Sequence, residues 1–179
     1  MLTIDPKRSL LLVIDFQSRL MPAIDAGAAA IRNANRLIGM AELAGIPFMF
    51  TEQNAKGLGS TVKGLPVEKG PLFHKQFFDA CREGGFLDRI PADAHVVVAG
   101  CEAHVCVQQT VLGLLNASRQ TYVVRDALGS RSREDKETAI RRMERHGAEI
   151  VTTEMVAFEW LQTAEHGKFR DAIALIKEK

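Results

Sequence analysis

The stretch from His95 to Leu115 constrains the fold of this chain more than any other. Val96-Val97-Val98-Ala99 is a continuous run of β-branched and small apolar residues, the pattern of a central parallel strand covered on both faces. Gly100 ends the run. Beyond it Val107, Val111, Leu114 and Leu115 recur at helical spacing, so strand, tight turn and helix are expected in quick succession. Cys106 then falls in the first turn of a helix at the carboxyl end of a strand. Free backbone N–H groups and the helix dipole favour negative charge there, which predicts a thiol that ionises more readily than in water. Ligands of open α/β sheets bind outside the carboxyl ends of the strands, where this cysteine would lie. Free cysteine is also among the most buried residue types, so the segment alone leaves a packing role open.

A chain of 179 residues is long enough for a substantial core and is read as one domain, 1–179. The formal charge of +1 offers no electrostatic argument for nucleic acid or anionic lipid, and neither is expected as a partner. Three cysteines, an odd number, argue against a disulfide framework and fit a reducing compartment. No apolar segment reaches the ~20 residues that span a bilayer. The stretch Met1 to Arg8 lacks the order of a secretory signal, so a cytoplasmic protein is expected.

Leu10 to Ile14 reads as a buried strand that stops at Asp15. A carboxylate at that point is costly unless paired; it either caps the following turn or serves at the sheet's carboxyl edge. Asp25-Ala26-Gly27 opens a helix with Ile31, Ala34, Ile38 and Ala41 on one face and Gly45 as its C-cap. Ile46 to Thr51 is a second strand. From Glu52 to Pro71 the chain is rich in glycine and proline without periodicity, a long loop of the kind that often carries function. Lys75 follows among Phe73, Phe77 and Phe78, and Cys81 to Arg89 reads as a short helix or turn. Thr121 to Arg125 is a further strand with Asp126-Ala127 as its exit, and Ser132 with Asp135 signals a capped helix. Glu149 to Thr152 is the last strand, and helices follow over Glu154 to Gln162 and His166 to Lys177. Strands alternating with helices predict an α/β fold: a Rossmann-like α/β/α three-layer sandwich with a mostly parallel central sheet.

Three pieces now coincide: Val13-Ile14-Asp15-Phe16-Gln17, Lys75 before Phe77-Phe78, and Gly100-Cys101-Glu102-Ala103-His104-Val105-Cys106-Val107. Together with Thr51-Glu52-Gln53 and Lys56-Gly57-Leu58-Gly59, they resemble the isochorismatase-like cysteine hydrolase superfamily, to which nicotinamidases also belong. The likeness is nearest to the small isochorismatase-domain hydrolases and extends through Asp126-Ala127 and Gly147-Ala148-Glu149. It implies Asp15, Lys75 and Cys106 as the catalytic set, with Gln17, Phe77, Glu102 and Ala103 as substrate-binding residues. It further implies a cis peptide at Cys101–Glu102, backbone N–H groups of Glu102 and Cys106 as the oxyanion site, and a homo-oligomer.

In chemical terms Asp15 would take the thiol proton, Lys75 would hold the carboxylate, and the sulfur would attack a carbonyl of a small molecule. His104 is the rival base, but residues two apart on a helix do not face each other. Nicotinamidases carry an Asp-x-His pattern after the second strand; here Glu52-Gln53-Asn54 stands there, so neither metal nor cofactor is expected. Asp79 stands where many relatives have serine, and Ala103 where they have threonine. The expected function is hydrolysis of a C–N (amide) bond through an acyl-thioester. The alternatives are a non-catalytic binding protein that retains the fold and the vinyl-ether chemistry of isochorismatase proper.

Overall fold

The computed structural model describes residues 2–177; Met1, Glu178 and Lys179, the outermost residues of the expected domain, lie outside the described residues. Strands β1 (Ser9–Ile14), β2 (Phe48–Gln53), β3 (Leu72–Lys75), β4 (His95–Cys101), β5 (Gln120–Gly129) and β6 (Glu149–Val151) form one sheet in the order β3-β2-β1-β4-β5-β6. Every strand pairing is parallel. The helices are α1 (Gly27–Ala44), α2 (Ala55–Leu58), α3 (Gln108–Asn116), α4 (Arg133–Arg145), α5 (Thr153–Leu161) and α6 (Phe169–Lys177).

Because neighbouring strand residues point to opposite faces, each apolar strand supplies two cores at once. Leu11 and Val13 of β1 and Val97 and Ala99 of β4 pack under α1, α5 and α6, with Leu37, Ile38 and Trp160. Leu10, Leu12, Ile14, Val96 and Val98 face the other way onto Val111 and Leu114 of α3 and Ile140 and Met143 of α4. The expected three layers follow directly. Trp160 belongs to the core, whereas Phe158 is 42% exposed. Among the described residues no helix is long and apolar enough to cross a membrane.

Four segments differ from expectation. β3 is an additional edge strand; it has only four residues, begins after Pro71 and alternates poorly, so periodicity does not reveal it. β2 continues through Glu52 and Gln53, polar residues that are nevertheless buried, and the loop after it contains the short α2. β4 runs past Gly100 to Cys101: a Cβ on Gly100 would lie 2.7 Å from the Ile14 carbonyl oxygen, so glycine here permits close strand approach instead of ending the strand. β5 does not end at Asp126. Its register shifts so that Val98 pairs with Val123 while Gly100 pairs with Leu128, and the strand rejoins the sheet through Gly129. Ser132 caps α4 as expected, accepting from the Asp135 N–H at 3.3 Å. α1 opens at Gly27 as expected, with Ala26 before it in the left-handed region and without a side-chain cap, and Gly45 closes the helix.

The amino ends of β1 and β4 are sealed by a polar network. His95, buried, accepts through Nδ1 from the Asp5 backbone N–H at 3.0 Å. Ser9 Oγ donates to the Asp5 carbonyl at 2.8 Å and accepts from Trp160 Nε1 at 3.0 Å. Burial pushes the His95 pKa down, with Arg8 beside it adding to the effect, so this end of the sheet favours neutral imidazole.

Candidate active site

The strand order reverses between β1 and β4: β1 hands the chain to β2 on one side, and β4 hands it to β5 on the other. Such a reversal opens a crevice at the carboxyl edge. Asp15 leaves β1 into it with φ of 52°, a left-handed conformation that aspartate tolerates better than most side chains. The Gln17 N–H closes the tight turn on the Asp15 carbonyl at 2.8 Å.

Lys75 ends β3 and reaches the same crevice. Its Nζ donates to Asp15 Oδ2 at 2.7 Å, and both side chains are fully buried. Removing two charges from water costs several kcal/mol per ion, and the attraction offsets that only when the remaining polar atoms are also bonded. Here Thr51 Oγ1 donates to Asp15 Oδ1 at 2.6 Å, and Lys75 Nζ donates a second time to Gln53 Oε1 at 2.8 Å. The strand register places them: Ile14 pairs with Thr51, and Gln53 with Lys75.

Cys106 reaches this pair from β4. After Cys101 the chain crosses a cis peptide to Glu102, as the resemblance implies, and makes a π-helical turn over Ala103–Val107 before α3. Cys106 is 5% exposed, with Sγ 4.0 Å from Gln53 Oε1. Its thiol is pushed up to about 12, first by burial and then by the negative charge of Asp15, against which Lys75 acts in the opposite direction. This corrects the expectation of an easily ionised thiol. The helix-start argument considers only backbone dipoles, and desolvation together with a neighbouring carboxylate outweighs them. Cys81 is likewise pushed up to about 12 by burial, and Cys101, fully buried, is raised further.

A cavity of about 400 Å³ opens beside the thiol, at the lower end of the range of small-molecule sites. Asp15, Gln53, Glu102 and Cys106 line it together with Leu20, Ala23, Leu58, Phe78 and Val105, and Arg19 and Arg131 stand at its edge. Of the residues expected to bind substrate, Glu102 is among those lining it. Its carboxylate is held by Arg131, whose Nε and Nη2 donate to the two oxygens at 3.0 Å each. Three others stand elsewhere. Phe77 lies outside the cavity wall, 48% exposed under the Arg82 guanidinium, and Phe78, 51% exposed, stands in the wall; both belong to the bend that follows β3. Ala103 is packed in the core with α3, where a small residue suits the tight turn. Gln17 is buried and shapes Gln53: its Nε2 donates to the Gln53 carbonyl at 3.0 Å, and its Oε1 accepts from the Gln53 N–H at 2.8 Å.

Thr51, Gln53 and Arg19 also stand at this site. The Thr-Glu-Gln pattern is the sequence signal for the first two, whereas nothing in the local pattern marks Arg19. His104 does not approach Cys106; its Nδ1 lies 3.0 Å from Ser130 Oγ. At the position where a metal pattern would stand, Glu52 accepts from both the N–H and the hydroxyl of Thr61. Among the described residues no group of three or more His, Cys, Asp or Glu side chains is arranged to hold a metal ion.

The Isochorismatase domain model matches residues 9–155. Isochorismatase domain-containing protein 1 of Danio rerio is 36% identical over 177 residues, which are 97% of this chain and 62% of that protein. The chain thus spans less than two thirds of that relative's length. The structure of the MAR1 ribonuclease of Caenorhabditis elegans is 35% identical and superposes with a TM-score of 0.89 over 99% of this chain and 93% of that one. The fold is also shared by the pyrazinamidase of Pyrococcus horikoshii in complex with zinc, which is 22% identical, with a TM-score of 0.70 over 81% of this chain and 99% of that one. The chain belongs to the isochorismatase-domain family.

Proposed function

We propose that this protein is a cysteine hydrolase that cleaves the C–N bond of a small amide, with Cys106 as nucleophile, Asp15 as proton carrier and Lys75 as its electrostatic partner. The observation that carries this reading is the buried 2.7 Å Asp15–Lys75 pair set against a thiol at the wall of a largely apolar cavity that opens to solvent. An ion pair maintained at such cost beside a nucleophile is a common form of catalytic machinery.

The raised thiol pKa sets the order of events. Sulfur attacks as a thiol whose proton passes to Asp15 while the S–C bond forms, so no resting thiolate is required. The tetrahedral oxyanion is received by the backbone N–H groups of Glu102 and Cys106. Collapse breaks the C–N bond, and the leaving amine takes the proton from Asp15. Water then attacks the thioester, giving a proton to the same carboxylate, and the departing sulfur recovers it. Amide and water are consumed; acid and amine are released. Lys75, bonded to Asp15 Oδ2 and Gln53 Oε1, keeps Asp15 oriented.

Amide hydrolysis agrees with the description of the Pyrococcus neighbour as a pyrazinamidase. The Caenorhabditis neighbour is described as a ribonuclease, so RNA belongs in the substrate screen as a competing outcome. The second reading, a binding protein without turnover, draws support from the same raised thiol pKa, since a neutral buried thiol is also what an inert cysteine looks like. The test is an amide library with mass-spectrometric trapping of the acyl-enzyme. Cys106→Ala should lower turnover about 10⁴-fold or more and eliminate the adduct, while Cys81→Ala should retain both. Turnover that survives Cys106→Ala would remove the nucleophile, and a library with neither turnover nor adduct would favour the binding reading.

A further inference from the structure

The charges around the cavity do not balance. Asp15 is neutralised by Lys75, and Glu102 by Arg131. Arg19, at the same cavity, has no carboxylate partner among the described residues. Its guanidinium is nevertheless held in place: Nη1 donates to the carbonyls of Lys56 and Gly57, both at 3.2 Å, at the end of the loop that also supplies Leu58 to the wall.

Arginine has five N–H donors in a rigid fork, and the edge formed by Nε and Nη2 matches both oxygens of a carboxylate. In Arg131 that edge is filled by Glu102. In Arg19 the bonds to the loop use Nη1 alone, so the matching edge has no protein partner among the described residues. Backbone carbonyls orient the group without cancelling its charge. Arg19 is exposed at the rim of a cavity walled by Leu20, Ala23, Leu58, Phe78 and Val105, so an anion would meet it from solvent, and fork geometry more than a dry medium would set the preference.

Building on the hydrolase reading above, we propose that Arg19 is a specificity-determining residue that binds a carboxylate on the substrate, at the end remote from the scissile amide. The preferred substrate class is then the monoamide of a short dicarboxylic acid, with an apolar middle, an anion on Arg19 and the carbonyl presented to Cys106.

Calorimetry on the Cys106→Ala protein separates this proposal from the question of turnover. The probes are the monoamides of the three- to six-carbon dicarboxylic acids, each paired with its neutral diamide. At least one monoamide should bind about tenfold or more tightly than its diamide, the range of a charge-assisted bidentate contact. Adding Arg19→Met should abolish that preference by weakening the anion alone, and Arg19→Lys should restore part of it. A merely structural role for Arg19 would weaken anion and diamide equally. No monoamide preference anywhere in the panel, or a preference that survives Arg19→Met, overturns the proposal. Selective binding of a monoamide that the wild-type protein does not hydrolyse would uphold Arg19 and count against the hydrolase reading.

Discussion

β1 and β4 carry buried polar groups at both ends, and the two ends are built differently. At the amino end Ser9 and His95 bond to the Asp5 backbone and to Trp160, so each donor named there meets a protein acceptor and the network closes on itself. At the carboxyl end Asp15, Lys75, Gln53 and Cys106 are bonded to one another yet border a cavity of about 400 Å³. The first arrangement ties backbone groups, a hydroxyl, an indole and an imidazole together, with the Arg8 guanidinium 2.8 Å from His95 Nε2, and acts as a lock. The second places full charges in a desolvated position, a cost that only the bonds among Asp15, Lys75, Thr51 and Gln53 offset. Polarity at the end of a buried strand is thus ambiguous until one asks whether its partners enclose it or leave a face toward open space.

The contrast breaks most severely at Lys75. Lys75→Met should cost about 3–5 kcal/mol in urea unfolding, because it leaves the Asp15 carboxylate buried without its counter-ion. Combining it with Asp15→Asn should recover part of that loss. A cost near zero would mean that Asp15 is hydrated and that the two ends differ less than described.

The next effect concerns the thiol. Asp15 raises the Cys106 pKa and Lys75 lowers it, so Asp15→Asn removes the raising neighbour and retains the lowering one. Iodoacetamide should then alkylate Cys106 faster at pH 8, by about tenfold for each unit by which the pKa falls, while turnover disappears. An unchanged alkylation rate would detach the carboxylate from the sulfur.

At the closed end the effects are smaller and leave the chemistry intact. Trp160→Phe should cost about 1 kcal/mol by removing the bond to Ser9, with amide turnover unchanged. The smallest effect is a pH dependence at His95. Its folded pKa is depressed, so the unfolded chain takes up the proton first as pH falls below about 6.5. The contribution of neutral His95 is fully present above that pH and is lost as pH falls toward the folded value. Urea titrations at pH 8 and pH 5.5 should show the decline, and His95→Gln should flatten it.

The sequence discloses this molecule unevenly, for physical reasons. Strands buried on both faces, such as Leu10–Ile14 and Val96–Ala99, reveal themselves because nothing else accounts for such apolar runs. β3 has four residues at the sheet's edge and no apolar run, so it stays hidden, although it carries Lys75. The neighbourhood of Asp15, Lys75 and Cys106 was accessible through motif order. Gln53, which accepts from Lys75 and contacts the Cys106 sulfur, was concealed inside a stretch read as loop. Sequence does not distinguish Phe77 from Phe78, because side-chain direction in an irregular segment is set by tertiary packing, and Phe78 is the one that lines the cavity. The thiol's tendency is hidden for a related reason: the helix start is written in local sequence, whereas the burial that chiefly opposes ionisation, and the Asp15 carboxylate that adds to it, arise only from the fold.

The raised thiol pKa has a consequence for durability. Peroxide and most electrophiles react with the sulfur anion, and a side chain that stays neutral and 5% exposed offers them little to attack. Such a side chain should be oxidised more slowly by peroxide than a cysteine that rests as the thiolate.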